Sequence, residues 1–261
     1  LTQPGTNSCQ ITEKTIQTDI IFRRKAMEGK THNTQIQSRA QVLNAFMQGV
    51  YRWMGAGLGL TAASAYLTAS SPSMMALVFG NPMVLFGLIA AELGLVLAVS
   101  AGISRMSGTM AAGLFLLYSA LNGITLSAVL TVYTPASVVS TFIVCAGMFG
   151  AMSLYGMTTS KDLTGWGSFL FMGLIGIILA MVVNIFIQSP MIDFVVSGLG
   201  VLIFVGLTAY DTQKLTRMGE TAPMEDGTAI RRGTVLGALT LYLDFINLFL
   251  FLLHFLGQMR E

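Results

Sequence analysis

Seven times between residues 50 and 256 the chain runs for most of a helix length with almost no charge. A helix that crosses a bilayer needs about 20 such residues, because each rises about 1.5 Å through a hydrocarbon layer about 30 Å thick. The stretches are about Val50–Leu67, Met83–Ala101, Met110–Val132, Ala136–Met157, Trp166–Ile187, Phe194–Leu215 and Val235–Leu256. Asn81-Pro82, Thr134-Pro135 and Ser189-Pro190 break the chain between them. Only 10% of the residues are charged and 54% are hydrophobic. A soluble domain carries about 25% charge, so this chain cannot cover a globule of its size with charge. The expected class is all-α: a polytopic membrane protein with seven transmembrane helices.

Three regions follow from the same pattern. Residues 1–42 are polar, without the apolar stretch a secretory signal needs, and are expected to form a mobile cytoplasmic tail. Residues 43–257 form the seven-helix membrane domain, and 258–261 are its C-terminal end. With the N-terminus inside, thirteen of the fourteen Lys and Arg fall in the tail or at inner ends of helices, and only Arg260 does not. Basic residues collect on the cytoplasmic side of short loops. The expected location is a bacterial inner membrane, with the lipid bilayer as the first partner. If the last helix re-entered, Arg260 would join the inner set, so spanning and re-entrant forms both stay open.

The stretch around Asp244 sets the functional question. From Gly237 to Leu253 it is apolar apart from Asp244, Tyr242, Asn247 and Thr240. Two more acids lie inside predicted spans, Glu92 and Asp211. A carboxylate in hydrocarbon is costly, and such residues usually face a bundle interior or a wet cavity. At 1.5 Å per residue, Asp211 lies about 6 Å, Asp244 about 12 Å and Glu92 about 14 Å from the inner end of its helix. Consecutive helices usually pack together, which brings Asp211 toward Asp244. Two carboxyls that meet either share a proton or hold a cation. Calcium takes oxygen ligands, so Asp211 and Asp244 are the candidate metal-holding residues, and Asn247, one turn on, is placed to add an oxygen. Arg52 and Arg105 stand at the inner rim as candidate latches.

Other chemistries are poorly served. Cys9 and Cys145 make no disulfide or metal spacing, and His32 and His254 stand alone. No nucleophile–base set appears, so no enzyme activity and no resident cofactor are expected. Nothing marks a nucleic-acid partner.

The run Ala238-Leu-Thr-Leu-Tyr-Leu-Asp-Phe-Ile-Asn-Leu-Phe249 resembles the Bax inhibitor family of membrane proteins, in its bacterial branch. Gly206-Leu-Thr-Ala-Tyr-Asp-Thr-Gln-Lys214 looks like that family's helix-six pattern, and Val50-Tyr-Arg-Trp-Met and Glu92-Leu-Gly-Leu look like parts of its first two helices. The resemblance covers about Gln41 to Gly257. It implies seven helices with the last one central, and a pH-sensitive calcium leak with protons and calcium ions as partners. It implies that Asp211 and Asp244 form the proton-sensing pair and that Arg105 is a latch on Asp211. The competing expectation is a non-conducting modulator of a membrane-bound protease or another membrane partner. The loop from Lys214 to Arg232 looks long for the family.

Overall fold

The computed structural model describes residues 39–222 and 226–259. Most of the expected N-terminal tail, the centre of the 214–232 loop and Arg260 lie outside the described residues. Helix α1 covers residues 39–69. It is followed by α2 (Pro72–Phe79), α3 (Pro82–Gly102), a 3-10 turn (Ile103–Arg105) and α4 (Gly108–Val132). Then come α5 (Pro135–Thr158), α6 (Thr164–Ile187), α7 (Pro190–Glu220) and α8 (Gly227–Leu256). Among the described residues the only β pairing is an isolated bridge between Tyr133 and Met259.

One local device starts four of these helices. Ser71, Asn81, Thr134 and Ser189 each accept a hydrogen bond from a backbone N–H of the first turn, and each is followed by proline at the first helical position. The side chain satisfies an orphan donor, and proline has no N–H to leave unpaired. Asp226 caps α8 by accepting from Thr228 and Ala229 N–H. Between α6 and α7, Gln188 adopts a left-handed conformation with φ 53°, so the chain reverses at once and the two helices pack side by side.

Six described helices, α3 to α8, are long and apolar enough to cross a membrane. The first of the seven expected segments lies in α1, which is not among these six, so the count of qualifying helices is one fewer than expected. Two details go beyond the expected spans. The connection before α3 contains α2, eight residues long. The polar stretch after Leu215 is mostly helix, because α7 continues to Glu220 and α8 begins at Gly227. Hydropathy marks where a helix leaves hydrocarbon, not where its hydrogen bonds end. Helix α8 is continuous over 30 residues. That is about 45 Å, enough to span and unlike a re-entrant hairpin.

Helix α8 is the centre of the bundle. In its most apolar window 61% of the residues are buried inside the protein, against 6–33% in α3 to α7. It packs against α4, α5 and α7, with α6 against α7 and α3 against α4. Helix α1 reaches it through Thr61, which meets Tyr242. Helix α6 by contrast turns Phe169, Phe171, Met172, Ile178 and Leu179 outward. A continuous apolar face of that kind fits lipid rather than water.

Close helix approach is visible at Gly123, where a Cβ would press on the Thr61 carbonyl and Ser64 Oγ of α1. Small residues permit such contacts in lipid. Gly123→Ala is expected to lower stability by about 1–3 kcal/mol, the usual cost of overpacking. Thermal unfolding of purified protein in detergent checks this. An unchanged midpoint would mean that α1 and α4 yield easily there.

Candidate functional site

Helices α6, α7 and α8 line a half-open cavity of about 650 Å³, with Phe171 and Ile178 of the outer face of α6 at its edge. Its walls are mainly apolar, including Phe171, Leu174, Ile177 and Leu207. Two carboxyls line it, Asp211 of α7 and Asp244 of α8. The two carboxyls come from helices that pack against each other and face the same cavity. A carboxylate can only accept a hydrogen bond, so a bond between two carboxyls needs a proton held between them. Asp244 is 5% exposed, and its Oδ2 is buried without a partner. Asp211 is half-buried.

Asn247 and Thr240 line the same cavity. The Asn247 amide N–H donates to the Leu243 carbonyl at 2.8 Å, which leaves its Oδ1 available. Further along, Phe204 and Phe251 stack with ring centroids 5.7 Å apart, and both line the cavity. Beyond them it ends among Ser197, Asp193 and His254. His254 is ten residues past Asp244, about 15 Å along α8. The cavity therefore has a polar group at each end and an aromatic collar between.

Glu92 lies elsewhere. It accepts from the Thr125 hydroxyl at 2.5 Å. Asn122 Nδ2 also donates to Tyr118 Oη at 3.3 Å, and Tyr242 Oη donates to Asn122 Oδ1 at 3.3 Å. Tyr242 Oη is 2.6 Å from Thr61 Oγ1. Thr61 in turn donates to the Gly57 and Ser119 carbonyls, both at 2.9 Å. This second polar layer joins α1, α3, α4 and α8. Tyr242 is two residues from Asp244, so about 200° around α8 separates them. Equal depth put Glu92 with the aspartates in the sequence, but depth does not fix direction around a helix.

The latch arginines are also placed apart from the pair. Arg105 ends the 3-10 turn and is exposed, and Arg52 is exposed and donates to Gln48 Oε1 at 3.5 Å. Among the described residues neither forms an ion pair with Asp211 or Asp244. The positive charge acting on Asp211 comes from Lys214, three residues later on the same helix. Spacing of three puts two side chains on one helix face, a signal present in the sequence. Other inner-rim cations are engaged. Arg232 donates to the Ser104 carbonyl at 2.9 Å. Arg217 is 2.8 Å from Asp162 Oδ1.

The Asp162 carboxyl, in the loop between α5 and α6, is held well below the usual carboxylate range, at about 2. The Thr164 hydroxyl and backbone N–H are the first causes, and Arg217 comes after them. A depressed carboxyl contributes order to a loop above its ordinary pKa and loses it as pH falls through the folded value. The loop is therefore expected to stay ordered from neutral pH down to about 4 and to loosen toward 2. Carboxyl carbon NMR should find Asp162 still depressed in Arg217→Ala. A full return to the ordinary value would show that Arg217, not Thr164, holds it.

Among the described residues no three His, Cys, Asp or Glu side chains gather to hold a metal ion. Asp211 and Asp244 supply two carboxyls, and Asn247 one amide oxygen. Calcium takes about six to eight oxygens. These three groups leave most of a calcium ion's oxygen positions to water.

The fold and cavity define an all-α polytopic membrane protein with a central last helix and two carboxyls lining one cavity beside it. Residues 43–261 match the family described as inhibitor of apoptosis-promoting Bax1, and the chain belongs to this Bax inhibitor family. It is 54% identical over 225 residues to the inner membrane protein YbhL of Escherichia coli strain K12, covering 86% of this chain and 96% of that one. It is 46% identical over 229 residues to an uncharacterised protein of Borreliella burgdorferi, covering 87% and 98%. A relative from Deinococcus radiodurans is 42% identical over 228 residues, covering 87% and 96%. The Escherichia coli relative and the apolar helices together support a multi-pass inner-membrane location.

Proposed function

We propose that the protein is a pH-sensitive calcium leak channel or slow transporter, gated where Asp211 meets Asp244. The observation that supports this reading is that Asp211 and Asp244 line one cavity of about 650 Å³, with Asp244 Oδ2 buried and without a hydrogen-bond partner. A fully structural carboxyl would be expected to have both oxygens satisfied. This one leaves an oxygen for water or a cation.

The pair has two states with different geometry. With one proton between them the carboxyls bond and draw α7 to α8. With the proton gone they repel, and a hydrated cation replaces the proton as the compensating charge. Protons and calcium thus compete for one place, and flux depends on pH. Lys214 is the neighbouring cation that biases the pair, a role the rim arginines were expected to fill. The distribution of Lys and Arg supports a cytoplasmic N-terminus, which puts the pair nearer the cytoplasm and His254 nearer the outer surface. Calcium efflux from proteoliposomes, measured across pH, tests the reading. It predicts a leak whose rate changes with pH, and absence of calcium flux at every pH would end it.

A further inference from the structure

We propose that the Asp193 carboxylate is a divalent-cation entry site at the end of the cavity remote from the aspartate pair, and that His254 plugs it. The proposal rests on the reading of the cavity as a cation path and names where the ion enters it. Asp193 borders two cavities. One is the 650 Å³ space that reaches Asp244. The other is a space of about 240 Å³ that also touches Asn184 and Ile185. Met181 and Val196 are common to both, so Asp193 stands at their junction.

His254 Nε2 is 2.6 Å from Asp193 Oδ2. The carboxylate only accepts, so Nε2 carries the proton. Tyr133 Oη lies 3.5 Å from the other ring nitrogen. Tyr133 is itself tied to the end of the chain by its bridge to Met259 and by the Thr134 N–H donating to the Gln258 carbonyl at 3.1 Å. Phe194 and Phe255, the next residues along, stack with centroids 4.8 Å apart. The imidazole thus sits between the Asp193 carboxylate and the Tyr133 hydroxyl. Tyr133 and Asp193 are the titratable side chains that face it among the described residues.

An acid in the first turn of a helix and a histidine in the last turn of its neighbour also offset the partial charges of the helix ends. That plainer role explains the two residue types, but not their place. An ordinary end pair does not line a cavity whose far end keeps a buried carboxyl oxygen without a partner. The pair is about half exposed, so breaking it need not cost the fold much.

The test uses the full-length protein in phosphatidylcholine nanodiscs, with manganese as the probe and one fixed pH. Loss of the free-ion EPR signal reports binding, and calcium flux in liposomes of the same lipid reports passage. His254→Phe keeps a ring beside Phe194 and Phe255 and frees Asp193. It is expected to bind manganese on the order of three- to tenfold more tightly, the effect of removing a neighbour's compensation of one partly exposed charge, and to leak faster. Asp193→Asn, nearly isosteric, is expected to lose that binding and slow the leak. The double variant should match Asp193→Asn, and His254→Arg should bind no better than wild type. Wild-type binding and flux in His254→Phe, or a gain that survives in the double variant, would overturn the plug. If His254→Phe does not fold, unchanged manganese binding in Asp193→Asn alone overturns the site. No calcium flux in wild type, with binding that still follows Asp193 and His254, would remove the leak reading and leave the entry site standing.

Discussion

With both Asp211 and Asp244 replaced by Asn, calcium flux in proteoliposomes is expected to lose its pH dependence and to fall severalfold. Asn matches Asp in size, and an amide N–H can donate to the facing amide oxygen, so the α7–α8 contact survives. What disappears is the ionisable proton. Its weight exceeds that of the hydrogen bond. Two unit charges ~4 Å apart near a protein surface repel by about 4 kcal/mol, roughly a thousandfold in an equilibrium. A polar contact between membrane helices contributes only about 0.6 kcal/mol on average. The proton state therefore sets the helix contact, and a pair that cannot ionise has one state. The single variants separate the roles. Asp244→Asn removes the more buried carboxyl and its unpartnered oxygen, so its thermal midpoint should hold or rise while flux drops. Asp211→Asn keeps that oxygen and loses the group that Lys214 acts on. A double variant with the wild-type flux and the wild-type pH profile would sink the gate.

The parts of this architecture that depend on one segment were readable from one segment. The polar-residue–Pro starts at Asn81, Thr134 and Ser189 mark helix beginnings because capping is chemistry within a turn. The seven spans follow from length and hydropathy. Asp211 and Asp244 could be brought together because their helices are consecutive and their depths are similar. Glu92 has nearly the depth of Asp244, yet it bonds to Thr125 of α4 and does not line the cavity that Asp244 lines. Rotation about a helix axis comes from packing, which a run of apolar residues on every face does not encode. The rim arginines are exposed and form no ion pair with Asp211 or Asp244 among the described residues, whereas Lys214 stands on the same helix as Asp211. His254 stood alone in the sequence, since 61 positions separate it from Asp193. The topology alone puts the first turn of α7 beside the last turn of α8, and that step would have found them.

Tyr242 offers the sharpest separation of architecture from gating. It is completely buried, and its ring meets Phe115 and Tyr118 edge-on, with centroids 5.6 and 5.7 Å away. Its hydroxyl joins α8 to Thr61 of α1 and Asn122 of α4. Tyr242→Ala empties this position and is expected to cost about 3–5 kcal/mol, the range for deleting a buried aromatic ring. Tyr242→Phe keeps the ring and should cost only about 1 kcal/mol. Thr61 can still donate to the Gly57 and Ser119 carbonyls, so no buried hydroxyl hydrogen is left stranded. If the Glu92 layer only holds α1, α3 and α4 to α8, Tyr242→Phe lowers the unfolding temperature slightly and leaves the pH profile of calcium flux in place. The aspartate variants do the reverse. A Tyr242→Phe protein of nearly normal stability whose flux no longer responds to pH would place the sensor on the Glu92 flank of α8 and not in the cavity beside Asp244.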